Sequence, residues 1–288
     1  MLEETFTPAT AAIKLTHWLD AAAAAGLQRF PVDVEQLALY VGKELRWHDP
    51  IFKVVAADIP SFEGGLFHVE AQGWALLYSR KMTSEGRIRF TQAHELGHYL
   101  IHRLKQEQFE CSQADMVHWG PEMRSIEAEA DDFASNLLMP MKQFRACTST
   151  SDIDFDILAD ASNKFGVSLT ATALRWIRST EQSAVLILSR DGFMDWAISS
   201  DKARSNGAFY KTKGRVVELP SGSIAADESI ASCRNCDQIS LDTWFEHAHC
   251  DAVAREMKLV CENYGYTLTL LGLSNGDKVW APRDWSNT

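Results

Sequence analysis

Arg89-Phe90-Thr91-Gln92-Ala93-His94-Glu95-Leu96-Gly97-His98-Tyr99-Leu100-Ile101-His102 is the stretch on which the reading of this chain turns. On a helix, positions i and i+4 share a face. His94 and His98 can therefore aim both imidazoles at one point. The flanking Ile88, Phe90, Tyr99, Leu100 and Ile101 suit a helix set into a core, and Thr91 is a candidate N-cap. Glu95 lies about 100° round the helix from His94. There it reaches a water at the shared point without taking a ligand position. HExxH with these properties is the zinc-metalloprotease signature, the Glu being the general base.

A catalytic zinc takes three protein ligands and keeps one position open. The extended pattern that adds a third His after a Gly is absent, since His102 follows with no Gly between it and His98. The alternative is an acid from a second helix. Met123 to Met139 reads as that helix, ended by Pro140. Ile126, Ala130, Phe133, Ala134, Leu137 and Leu138 form its apolar stripe. Glu127 lies on one border with Asp131 one turn below, and Glu129 lies on the opposite border. Glu127 is the expected ligand and Glu129 its main competitor. Asp131 is a candidate for holding a His ring nitrogen, as metal-bound His usually requires. Glu129 and Asp132 otherwise read as a solvated face.

These two segments resemble the ImmA/IrrE family of metallopeptidases. The likeness rests on Arg89-Phe90-Thr91 before His94-Glu95-Leu96-Gly97-His98, on Leu100-Ile101-His102, and on Glu127 through Ala134 leading into Leu137-Leu138-Met139-Pro140. Phe30 to Ala38 looks like the family's lead-in. Lys164-Phe165-Gly166-Val167-Ser168 with Ala173-Leu174-Arg175 looks like its helical tail. The resemblance spans roughly residues 10–180. One departure is Asp131, where the family often has Asn. The resemblance implies an intracellular bacterial or phage protease that cleaves helix-turn-helix repressors in stress responses or in the control of mobile elements.

Lys and Arg number 28 against 39 Asp and Glu, a net charge of −11. That disfavours free nucleic acid as the main partner, because phosphate binding needs basic surface. Lys202, Arg204, Lys211, Lys213 and Arg215 run against the trend and read as a solvated loop. No basic, apolar leader opens the chain and no run of 18 apolar residues occurs, so neither a secretory signal nor a membrane span is expected. The six Cys are scattered through a chain that is not small, which fits a reduced, cytoplasmic protein.

The expected fold class is α+β. Residues 1–180 form a mainly helical, zincin-like metallopeptidase domain with a small antiparallel sheet, and residues 181–288 a smaller α+β domain for regulation or substrate recognition. Thr7-Pro8 opens a first helix and Pro31–Val41 holds a second. Phe52–Arg80 reads as about three antiparallel strands. A loop of about 18 residues after the zinc helix carries Cys111, His118 and Trp119. Helices are expected at about 123–146, 153–165 and 169–179. Ala184–Leu188, Asp195–Ile198 and Thr267–Leu271 read as strands, with a helix at about 240–263. Cys233-Arg234-Asn235-Cys236 with His247, His249 and Cys250 is a weak candidate for a second metal.

The reaction expected is zinc-dependent hydrolysis of peptide bonds in a protein substrate, a DNA-binding repressor by the resemblance. Zn2+ is held by His94, His98 and Glu127, and Glu95 is the catalytic base. Tyr99, His102 and His118 are candidates for the donor that stabilises the oxyanion. The competing class is a sensor or antitoxin-like protein that keeps the metal but acts by binding alone.

Overall fold

In the computed structural model, residues 6–59, 62–111 and 121–281 are described. They form two compact units, Met1–Cys147 with Ala161–Ser168, and Thr148–Asp160 with Leu169–Thr288. The fold is α+β, with helices concentrated in the first unit and strands in the second.

In the first unit, α1 (Pro8–Ala24) starts at Thr7, whose side chain accepts from the Thr10 amide. Helix α2 (Val34–Glu44) is capped by Asp33 in the same way. The strands β1 (Ile51–Ala57), β2 (Gly64–Val69), β3 (Gly73–Ser79) and β4 (Gln108–Cys111) make one sheet in the order β1-β3-β2-β4. The sheet is not wholly antiparallel as expected. β2 and β3 form a hairpin and β4 takes the free edge of β2, which leaves β1 the outer edge of β3, where it runs parallel. β4 was missed in the sequence because its four residues sit in what read as one long loop. Residues 112–120 of that loop, with His118 and Trp119, lie outside the described residues.

The zinc-motif helix α3 (Glu85–Gly97) begins earlier than expected. Ser84, not Thr91, is its N-cap and accepts from the Arg87 amide. Its first two turns carry Glu85, Arg87 and Arg89 and show no apolar period, so the sequence hid them. The Arg89 guanidinium ties this end to the Gly166 carbonyl. After Gly97 the helix widens into a π-helical turn, His98–His102. Such turns are rare and recur at functional sites. Helix α4 (Pro121–Leu138) packs on both α1 and α3. Pro140 divides the expected 123–146 helix, and α5 (Met141–Thr148) follows it.

Helix α6 (Phe155–Phe165) runs through the boundary between the units. Helix α7 (Leu169–Ile177) belongs to the second, where it packs on β5 (Ser183–Arg190). Thr170 Oγ1 and Tyr266 Oη lie 2.8 Å apart. With β6 (Phe193–Ser199), β7 (Ser232–Ser240), β8 (Val253–Cys261) and β9 (Tyr266–Leu273), β5 makes an antiparallel sheet in the order β6-β5-β9-β8-β7. Val185, Ile187, Leu271, Trp244 and Phe245 centre its core.

The helix expected at about 240–263 does not form. β8 occupies its second half. Ala254-Arg255-Glu256-Met257-Lys258-Leu259 is built of good helix formers, but pairing with β7 and β9 overrides that propensity. The alternation that marks a strand is disguised, because Glu256 and Lys258 are among its buried residues. The exposed Lys202, Arg204, Lys211, Lys213 and Arg215 surround the short helix α8 (Asp201–Ser205) and the segment after it.

Candidate metal centre

Glycine brings the two site helices together. A Cβ on Gly97 would lie 2.9 Å from Phe133 Cδ1 and 3.2 Å from Ala130 Cα. The bare backbone lets α4 lie close against α3, and larger residues would hold it off. The expected stripe of Ile126, Ala130, Phe133, Ala134, Leu137 and Leu138 is buried throughout. Burying that stripe turns its acidic border towards α3.

Glu127 then meets both histidines. His94 Nε2 and Glu127 Oε2 are 2.9 Å apart, His98 Nε2 and Glu127 Oε1 3.4 Å, and the two Nε2 atoms 3.0 Å. All three residues are buried. Glu129 does not join them. Its Oε2 lies 2.9 Å from His102 Nε2. Asp131 Oδ1 lies 2.9 Å from His94 Nδ1, the place expected for an acid that orients a ligand.

The charges respond to this crowding. Burial pulls the His94 imidazole down, but its hydrogen bonds to Asp131 and Glu127 outweigh it and raise the pKa to about 10. At His98 burial prevails and lowers the pKa to about 4. Burial would raise Glu127, yet its hydrogen bonds with His94 and His98 hold it well below the usual carboxylate range.

Glu95 is fully buried next to this cluster, and its charge is felt at His94. Strand β2 gives it room. A Cβ on Gly64 would lie 2.3 Å from Thr91 Cγ2 and 2.8 Å from Glu95 Oε1.

The donor set fits a zinc ion. Donors about 2.0–2.1 Å from a tetrahedral zinc stand about 3.3–3.4 Å from one another. The separations here, 2.9 to 3.4 Å, need outward shifts of only about half an ångström. A proton shared among two imidazoles and one carboxylate can satisfy only part of such a cluster, whereas one cation satisfies all of it.

Other expected site residues lie elsewhere. Tyr99 is in the core with its hydroxyl donating to the Asp49 carbonyl at 3.2 Å, so it is not an oxyanion donor. His102 lies behind His98, their Nδ1 atoms 3.1 Å apart, which removes it from that role too. For the second cluster, His249, Cys250 and Asp251 have potential ligand atoms within 4.8 Å of one another, all exposed. That group does not include Cys233 or His247, and the Cys236 side chain lies outside the described residues.

An HExxH helix packed on a helix that brings in a glutamate defines a metallopeptidase-like site. Residues 49–176 match the family model of the IrrE N-terminal-like domain, peptidase family M78. No curated protein matches the chain. Among solved structures, a Mycobacterium tuberculosis transcriptional regulator is similar in fold. The similarity has a TM-score of 0.52 at 14% identity and covers 93% of this chain and 76% of that one. No described helix is long and apolar enough to cross a membrane.

Proposed function

We propose that this chain is a zinc-dependent endopeptidase acting on a protein. The observation that carries the reading is the convergence of His94 Nε2, His98 Nε2 and the Glu127 carboxylate beside the buried Glu95. His94, His98 and Glu127 would hold the ion, and a zinc ion there would supply a Lewis-acid centre that makes water more acidic. The Glu95 carboxylate takes the proton of the attacking water. It then passes that proton to the amine nitrogen as the peptide bond breaks. Gly64 keeps strand β2 clear of Glu95, so the carboxylate can turn between water and leaving group.

The substrate in this reading is a DNA-binding repressor, cut in the cytoplasm during a stress or mobile-element response. The family resemblance supports this, and the description of the M. tuberculosis neighbour as a transcriptional regulator is compatible with it. Residues 181–288 serve substrate choice or regulation, while 1–180 carry the metallopeptidase chemistry. The test is incubation of the protein, zinc and a repressor encoded beside it, with and without chelator, read by mass spectrometry. Wild-type cleavage that stops with chelator and in Glu95→Gln supports proteolysis. An intact repressor that still binds supports the alternative, action by binding alone.

A further inference from the structure

His102 and Glu129 take no part in the scheme above, yet both are held at hydrogen-bond distance in a line ending at His98. Glu129 Oε2 lies 2.9 Å from His102 Nε2, and His102 Nδ1 lies 3.1 Å from His98 Nδ1. We propose that Glu129 and His102 are positioning residues that set the tautomer and ring orientation of His98, leaving its Nε2 lone pair facing His94 and Glu127. The proposal rests on reading that cluster as a metal site.

Donor and acceptor rules drive the argument. An ionised carboxylate only accepts, so His102 Nε2 carries a proton and donates it to Glu129. His102 is wholly buried with its Nδ1 facing His98 Nδ1 at 3.1 Å, so one of these two atoms is bare and the other donates. A neutral imidazole protonated at Nε2 has a bare Nδ1. His98 Nδ1 must then be the donor in the contact between the two rings. That leaves His98 Nε2 as the lone pair, the atom that points at Glu127. His94 reaches the same tautomer in one step, by donating from Nδ1 to Asp131. The two histidines thus receive the same instruction from carboxylates on α4, one directly and one through an interposed imidazole.

Backbone and packing support the longer line. In a π-helical turn hydrogen bonds run from i to i+5, and the His98 and His102 rings have centroids 5.2 Å apart. His98 and His102 bound such a turn. Phe109 of β4 stacks on the His98 ring at 4.5 Å with an interplanar angle of 18°. The stack fixes the plane of the ring and His102 fixes its rotation within that plane.

The experiment compares zinc affinity by chelator competition, and the visible spectrum of the cobalt(II)-loaded protein, across variants of the full chain. His102→Leu should weaken zinc binding by about 10–100-fold and alter the cobalt spectrum. His102→Asn should restore most of the affinity, because its amide oxygen can accept from His98 Nδ1. Glu129→Ala should weaken binding in the same direction. Its side chain is 40% exposed, so this variant carries the test if His102→Leu fails to fold. The proposal is overturned if His102→Leu and Glu129→Ala match wild type in affinity and spectrum while His94→Ala loses the metal. It is also overturned if His102→Asn is as impaired as His102→Leu. If wild type binds no zinc, or His94→Ala binds it normally, the metal-site reading falls and the proposal with it.

Discussion

Two buried glutamates, one in each unit, show how burial alone misleads. Glu256 on β8 is wholly buried and takes its hydrogen bonds from neutral donors. Its Oε1 accepts from the Ala225 amide at 2.7 Å and its Oε2 from the Trp244 indole at 2.8 Å. Its pKa is nevertheless raised, because burial outweighs those dipoles. Glu127 on α4 is also buried, but the atoms facing it are imidazole nitrogens that also crowd each other, and its pKa is lowered. Glu256 is a structural acid whose needs are met by the fold. Glu127 belongs to a cluster that could hold a cation. A buried carboxylate points to a metal when its neighbours are themselves ligands, not when they are amide and indole donors.

The largest test of that contrast is catalytic. Glu95→Gln should keep the metal and lower cleavage by about 10²–10⁴-fold, the range for a general base. Near wild-type cleavage by that variant would remove Glu95 from the mechanism. Next come the two glutamates themselves. Glu127→Ala should abolish stoichiometric zinc by elemental analysis, and Glu256→Ala should leave zinc untouched. Glu256→Ala should instead cost roughly 2–5 kcal/mol in urea unfolding, since it strands two buried donors. If the two variants exchange these outcomes, the contrast is wrong.

Gly64→Ala should have an intermediate effect. Its Cβ meets Thr91 and Glu95, so a loss of roughly 1–3 kcal/mol is expected from overpacking, with slower cleavage at full zinc content. Unchanged stability and rate would show that β2 yields freely. The smallest effect belongs to Asp131→Asn. The amide oxygen still accepts from His94 Nδ1, so zinc affinity should fall less than about tenfold. A complete loss in a competition titration would mean that the charge of Asp131, and not its hydrogen bond, holds His94 in place.

How much was legible follows from where the information lies. The i, i+4 histidines and the apolar stripe of α4 are read from single helices, and both stand in the structure. Glu127 and Glu129 sit on opposite borders of that stripe, and Asp131 one turn below Glu127 made Glu127 the expected choice. The close approach of α4 at Gly97 places Glu127 against His94 Nε2 and Glu129 against His102. In the second unit β5, β6 and β9 were visible because their runs are apolar. β7 was not, since Ser232–Ser240 is mostly polar, and β8 was not, since its buried Glu256 and Lys258 imitate the polar positions of a helix.

The sequence by itself determined the local chemistry: two imidazoles on one helical face, a carboxylate beside them, an acidic second helix. These depend on the period of one helix, which neighbouring residues set. Tertiary structure decided what spans long separations. It brought β1 parallel to β3, made a strand of 253–261, and aimed Glu127, Glu129 and Asp131 at different ring nitrogens. Those outcomes depend on how closely backbones pack and which buried polar atoms find partners, and neither quantity is encoded in a single stretch of chain.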